Sequence, residues 1–220
     1  MDEHRFRTPR SARYFTLGQP GTDVKDVWIA LHGYGQLARD FLAGFEPVAA
    51  PGRLIVAPEA LSRFYPGSPD ARGPGARVGA SWMTREDRLA EIDDQVVYFD
   101  GLAGALLPSL APGARIRALG FSQGASAACR WAALGTIPVS ELIVWAGEIP
   151  ADLPSDVLAE RFGRMIVHLI AGSRDRLVPE AVVAHQEARL RAAGLEPRIH
   201  RFDGGHRLDS GVLRTLSGMS

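Results

Sequence analysis

Short apolar runs separated by helix-like stretches limit what this chain can fold into more than any other feature. Val27-Trp28-Ile29-Ala30-Leu31, Leu54-Ile55-Val56-Ala57, Leu142-Ile143-Val144-Trp145-Ala146 and Met165-Ile166-Val167-His168-Leu169-Ile170 are nearly continuous in apolar residues. A strand with one wet face alternates polar and apolar positions, so runs without alternation are buried on both faces. The stretches between them carry helical spacing. Phe41, Leu42 and Phe45 share a side within Gln36 to Ala50. Ile92, Val96, Phe99, Ala103 and Leu106 recur in a helix that Thr84, Glu86 and Asp87 open and Pro108 closes. Further helices are predicted over Asp156 to Phe162, Pro179 to Leu190 and Leu208 to Leu216, with an edge strand at Tyr14 to Leu17 and a last strand at Arg198 to Phe202. Strands alternating with helices predict an α/β fold: a mostly parallel sheet with helices on both faces. The 220 residues suit a single domain, 1–220, without a separate lid domain.

Composition excludes several function classes. Lys plus Arg and Asp plus Glu number 25 each, so no overall field draws the chain to nucleic acid or an anionic membrane. One cysteine, Cys129, cannot form an internal disulfide and fits a reducing compartment. The charged stretch Met1 to Arg13 is no signal peptide, and no segment is apolar enough to span a bilayer, so a soluble, cytoplasmic protein is expected. The histidines and acids lack compact ligand spacing, and neither a metal nor another cofactor is called for. Residues 59–85 mix Gly and Pro with Arg63, Phe64, Tyr65, Arg77 and Trp82, and read as a long irregular loop near the site, with a mobile tip near Asp70 to Ala76 and an ordered end at Trp82 and Met83.

In open parallel sheets ligands gather beyond the carboxyl ends of the strands, and His32, Ser122, Asp175 and His206 each follow a predicted strand. Ser122 stands in Gly120-Phe121-Ser122-Gln123-Gly124, between the apolar Ile116, Ala118 and Leu119 and the small-residue run that follows. A strand turning sharply into a helix there exposes the serine hydroxyl and aims the Gln123 N–H at whatever it attacks. A serine needs a base to take its proton, and His206, in a Gly-Gly-His turn, is the candidate. Asp175 follows in the required chain order as the acid that fixes the imidazole tautomer. Asp203 is a rival acid, too near His206 in sequence to reach the ring from behind. His168 reads as a core residue, His185 as helical and His200 as an alternating strand position. A second oxyanion donor is expected from the Tyr34 backbone in His32-Gly33-Tyr34-Gly35, with His32 buttressing that loop.

These motifs resemble the phospholipase/carboxylesterase family of small serine hydrolases, the α/β-hydrolase group that includes acyl-protein thioesterases. The resemblance runs from Leu31-His32-Gly33-Tyr34-Gly35 through Gly120-Phe121-Ser122-Gln123-Gly124 to Gly204-Gly205-His206. It implies cleavage of small-molecule carboxylic esters through an acyl-enzyme, with Ser122, Asp175 and His206 as the triad and the Tyr34 and Gln123 amides as the oxyanion hole. Ser81-Trp82 looks like a pair that lies beside the active site in the family, so His32, Trp82 and Met83 are expected beside the substrate. Met83 and Thr84 stand where the family usually has an aromatic residue and an acid. Thioester, lysophospholipid or amide cleavage, and a non-catalytic ligand-binding protein of the same fold, remain alternatives. An exposed Trp or Phe patch would suit a homodimer contact.

Overall fold

The computed structural model describes residues 1–67 and 73–219. In chain order its elements are β1 Tyr14–Leu17, β2 Asp26–Leu31, α1 Ala38–Ala43, β3 Arg53–Pro58, β4 Ser62–Phe64, β5 Gly79–Ser81, α2 Arg88–Leu106, β6 Arg115–Phe121, α3 Gln123–Leu134, β7 Glu141–Trp145, α4 Ser155–Val157, β8 Ile166–Gly172, α5 Glu180–Ala192, β9 Arg198–Phe202 and α6 Ser210–Ser217. A π-helical turn, Leu158–Phe162, continues α4. Seven strands make one sheet in the order β1-β3-β2-β6-β7-β8-β9. β1 pairs antiparallel with β3 and the other pairs are parallel.

The unbroken apolar runs supply two cores at once. Val27, Ile29 and Leu31 of β2 join Phe99 and Leu102 of α2 and Ala128 and Trp131 of α3. Trp28 and Ala30 point the other way, to Phe41 of α1, Phe45, and Leu213 and Leu216 of α6. Each large side chain fully buried in this way contributes on the order of 2 kcal/mol of apolar transfer.

Charges close the amino-terminal edge of the sheet. Arg117 Nε donates to Asp26 Oδ1 at 2.8 Å, and its Nη1 reaches Glu141 Oε2 at 3.2 Å and the Leu216 carbonyl at 2.7 Å. Arg53 donates to Asp26 Oδ2 at 2.8 Å and to the Ser217 carbonyl at 2.8 Å, so both arginines tie α6 to the sheet. Burial alone would push the Asp26 carboxyl up, but hydrogen bonds from Arg53 and Trp28 and the two guanidinium charges hold it below the usual range.

Several boundaries differ from expectation. α1 stops at Ala43, short of Ala50, and Glu46–Val48 form a 3-10 turn instead, where Pro47 has no N–H to continue an α-helix. The helix expected from Thr84 starts at Arg88, after Asp87 in the left-handed region at φ 46°. Thr84 Oγ1 accepts the Glu86 N–H at 3.2 Å without capping α2. The 59–85 stretch is not irregular throughout, because β4 and β5 pair antiparallel within it. The mobile tip expected near Asp70 to Ala76 falls partly on residues 68–72, outside the described residues. All four tryptophans, Trp28, Trp82, Trp131 and Trp145, are buried, so no exposed tryptophan patch offers a dimer contact. Among the described residues no helix is long and apolar enough to cross a membrane.

Arg117→Met removes the cation between two buried carboxylates. Urea unfolding should register a loss of about 3 kcal/mol, and a variant as stable as the parent would contradict the role given to this network.

Candidate active site

β6 ends at Phe121 and α3 begins at Gln123, so Ser122 alone makes the corner, at φ 55° and ψ −119°. A non-glycine residue held there costs about 1–3 kcal/mol, sustained only where surrounding structure enforces it. The Ser122 N–H donates to the Trp145 carbonyl at 2.9 Å. The flanking glycines let backbones touch. A Cβ at Gly120 would fall 2.2 Å from the Gly124 carbonyl oxygen, and one at Gly124 would fall 2.2 Å from that of Leu31. Helix α3 therefore lies against the ends of β6 and β2. Its first N–H, on Gln123, meets no acceptor among the described residues.

The loop after β2 supplies the neighbouring wall. His32 is wholly buried, and both ring nitrogens are committed: Nδ1 donates to the Gly33 carbonyl at 2.8 Å and Nε2 accepts the Ala60 N–H at 3.1 Å. Burial pushes the imidazole well toward its neutral form, against smaller opposing effects of the Gly33 carbonyl and the Glu59 charge. Gln36 Oε1 accepts the Gly33 N–H at 2.7 Å, and the Gly35 N–H donates to the Ala80 carbonyl at 2.9 Å. Between them the Tyr34 N–H, like that of Gln123, has no acceptor among the described residues. The Tyr34 ring is exposed and lies 5.0 Å from that of Phe64.

On the other side, the last loop folds back across the sheet edge. The Arg174 N–H donates to the Gly204 carbonyl at 2.8 Å, while a Cβ at Gly172 would fall 2.3 Å from that same carbonyl oxygen. Trp145 Nε1, from the floor of the sheet, donates to the Arg207 carbonyl at 3.0 Å. The loop so pinned places the His206 ring 4.9 Å from the ring of Phe121, the residue before Ser122. His206 Nδ1 lies 2.8 Å from Asp175 Oδ2. Asp175 Oδ1 accepts the Leu177 and Val178 N–H groups at 2.8 and 3.1 Å. Burial would push the Asp175 carboxyl up, but the imidazole hydrogen bond and these two amides outweigh it and hold the group below the usual range. A carboxylate there makes Nδ1 the donor and leaves Nε2 bare to accept a proton.

The structure thus joins Asp175 to His206 and sets the imidazole beside the serine corner. Among the described residues Ser122 Oγ makes no hydrogen bond, and the His206 ring bonds to Asp175 alone. Asp203 turns away, to Ser173 Oγ at 3.3 Å and to Arg174. His168 is buried, but not fully satisfied: Nδ1 meets His200 Nε2 at 3.0 Å, while Nε2 lies 3.4 Å from Glu141 Oε2 without a hydrogen bond. Of the residues expected beside the substrate, His32 and Trp82 lie beneath the loops, not on an open surface. Trp82 is 3% exposed and its Nε1 donates to the His32 carbonyl at 2.7 Å. Met83 is partly buried, its carbonyl accepting Gln123 Nε2 at 2.8 Å. Residues Gln36, Trp145 and the Gln123 side chain escape sequence reading. Only Trp145 carries a signal, since a buried indole N–H requires an acceptor. Among the described residues no group of three or more His, Cys, Asp or Glu side chains is placed to hold a metal ion.

No protein-family model matches the sequence, and no curated protein matches it. Solved structures do. Esterase PE8 is 27% identical with a TM-score of 0.68, covering 94% of this chain and 96% of its own. Acyl-protein thioesterase 2 of Zea mays is 20% identical with a TM-score of 0.71, over 95% and 99% of the two chains. The carboxylesterase of Bacillus cereus is 17% identical with a TM-score of 0.67, over 94% and 92%. These are α/β-hydrolases of the phospholipase/carboxylesterase type, and this chain has their fold.

The neutral, buried His32 has a consequence for stability. Its folded pKa lies below the ordinary imidazole value of about 6.5, so on acidification the unfolded chain takes up the proton first. Stability present above pH 6.5 should decline below it, with His200, whose pKa burial also lowers, adding in the same direction. Urea unfolding between pH 7.5 and 5.5 should show a shallower pH slope in His32→Gln than in the parent. Equal slopes would contradict this.

Proposed function

We propose that this chain, an α/β-hydrolase by fold, is a serine hydrolase that cleaves carboxylic esters through an acyl-enzyme. The observation carrying this reading is the enforced corner at Ser122, φ 55°, flanked by two unengaged amides and by an imidazole already held by a buried carboxylate. The Ser122 hydroxyl attacks the ester carbonyl while His206 Nε2 takes its proton. Negative charge on the former carbonyl oxygen is met by the Tyr34 and Gln123 N–H groups. The tetrahedral intermediate collapses, the C–O bond to the alcohol breaks, and His206 returns the proton to the leaving oxygen. Water then repeats the sequence on the acyl-enzyme and releases the acid. Asp175 keeps the imidazole oriented and stabilises its cation without taking the proton.

The likeness to an esterase and a carboxylesterase supports esters as the substrate class, and the likeness to an acyl-protein thioesterase makes thioesters the second reading. A groove of about 430 Å³ lies between Glu148–Ala151 and α5, and among the described residues none of the triad or oxyanion-hole positions lines it. Ile149, Ala151, Ala181 and Val182 give it apolar walls, with Glu148 and His185 as its free polar groups.

Chain-length-graded p-nitrophenyl esters and matched thioesters test the proposal. The parent should turn over the esters with a burst of alcohol release, and Ser122→Ala should abolish turnover without loss of folding. Asp175→Asn should lower kcat on the order of 10⁴-fold by admitting the wrong imidazole tautomer. Turnover unaffected by Ser122→Ala would overturn the assignment, and an inert parent would leave a ligand-binding protein.

A further inference from the structure

The 59–85 excursion does more than border the site. Strand β5 has β4 on one edge, paired Ser62 to Ser81, Arg63 to Ala80 and Phe64 to Gly79. On its other edge lies the loop that carries Tyr34. The Gly35 N–H donates to the Ala80 carbonyl at 2.9 Å, and the Ala80 N–H returns a bond to the Gln36 carbonyl at 3.2 Å. The contact is backbone on backbone, for a Cβ at Gly79 would fall 2.8 Å from both Cα and the carbonyl oxygen of Gly35.

The residues that continue β5 are held by the Gln123 side chain. Its Oε1 accepts the Trp82 N–H at 3.1 Å, and its Nε2 donates to the Met83 carbonyl at 2.8 Å and to Ser81 Oγ at 3.1 Å. From below, the buried Gln95 of α2 donates to the Trp82 carbonyl at 2.6 Å. One short segment, Ala80 to Met83, is therefore bonded at one end to the Tyr34 loop and at the other to the first residue of α3.

We infer that this segment is a strut that sets the position of the Tyr34 amide relative to the Gln123 amide, and that the Gln123 side chain is its positioning joint. This rests on the proposed function for its catalytic meaning, though not for the coupling itself. Two donors act on one oxygen only if their separation is fixed before charge develops. The Tyr34 loop is a glycine-rich turn without regular structure of its own, and β5 supplies the missing fixed partner. The helix donor and the loop donor then move as one body. Substrate affinity does not depend on the strut, whereas transition-state stabilisation does.

Gln123→Met keeps the backbone amide and the side-chain length while removing every bond to residues 81–83. It should lower kcat for ester cleavage by about tenfold to a hundredfold, below the 10²–10³ expected when a donor is deleted outright, with KM within about twofold. Gly79→Ala, which forces the Tyr34 loop away at the other joint, should show the same split. The second measurement is amide exchange by NMR. In Gln123→Met the Gly33 and Gly35 amides, which do not touch Gln123, should exchange faster, while those of β7 and β8 do not change. Unchanged exchange at Gly33 and Gly35 would overturn the strut, whatever the activity. If the parent cleaves no ester, the proposed function falls and the exchange result still decides the coupling.

Discussion

The close packing of α3 on the sheet is the constraint from which the rest follows. Gly120 and Gly124 bring helix and strand backbones into contact, and the chain can pass from one to the other only through the unusual conformation of Ser122. The helix behind that corner is built for it: Ala125, Ala127, Ala128 and Cys129 are small and buried, so nothing holds α3 off the sheet. A larger residue at either glycine would relax the corner and carry Ser122 and the Gln123 amide out of place together. The strain at Ser122 is maintained by packing on both sides.

The two edges of the sheet treat charge differently. At the amino edge Asp26, Arg53, Arg117 and Glu141 neutralise one another, and the two arginines also donate to carbonyls of α6 and of Val48. At the carboxyl edge Asp175 holds His206 so that one imidazole nitrogen is committed and the other is left free. Trp145 ties the carboxyl edge to the core, since its ring packs there while its N–H fixes the loop that carries His206. A fully buried indole is thus what lets a histidine from an outer strand stand beside a serine from the middle of the sheet.

Much of this was legible in the sequence because it rests on period and order. Short runs without alternation, bounded by turn residues, read as strands covered on both faces, and Ser122, Asp175 and His206 each follow a predicted strand in the order the chemistry needs. What was not legible depends on where a side chain points. Nothing in the letters distinguishes Gln95 and Gln123, each bonded to the backbone of the distant Trp82 segment, or Gln36, bonded to the Gly33 amide of its own loop, from surface glutamines. β5 is Gly-Ala-Ser, with no strand preference, and owes its conformation to partners on both edges. The left-handed Asp87 delayed α2 past a cap that Thr84 signalled, and the position of His32 after β2 does not disclose that both its ring nitrogens are engaged beneath the loop.

Labelling with a fluorophosphonate followed by peptide mapping tests the central claim most directly, because the reagent reports a hydroxyl made nucleophilic by its surroundings. The account predicts one adduct, on Ser122, formed slowly or not at all when His206 is replaced by alanine. An adduct on another serine, or a rate indifferent to His206, would contradict it.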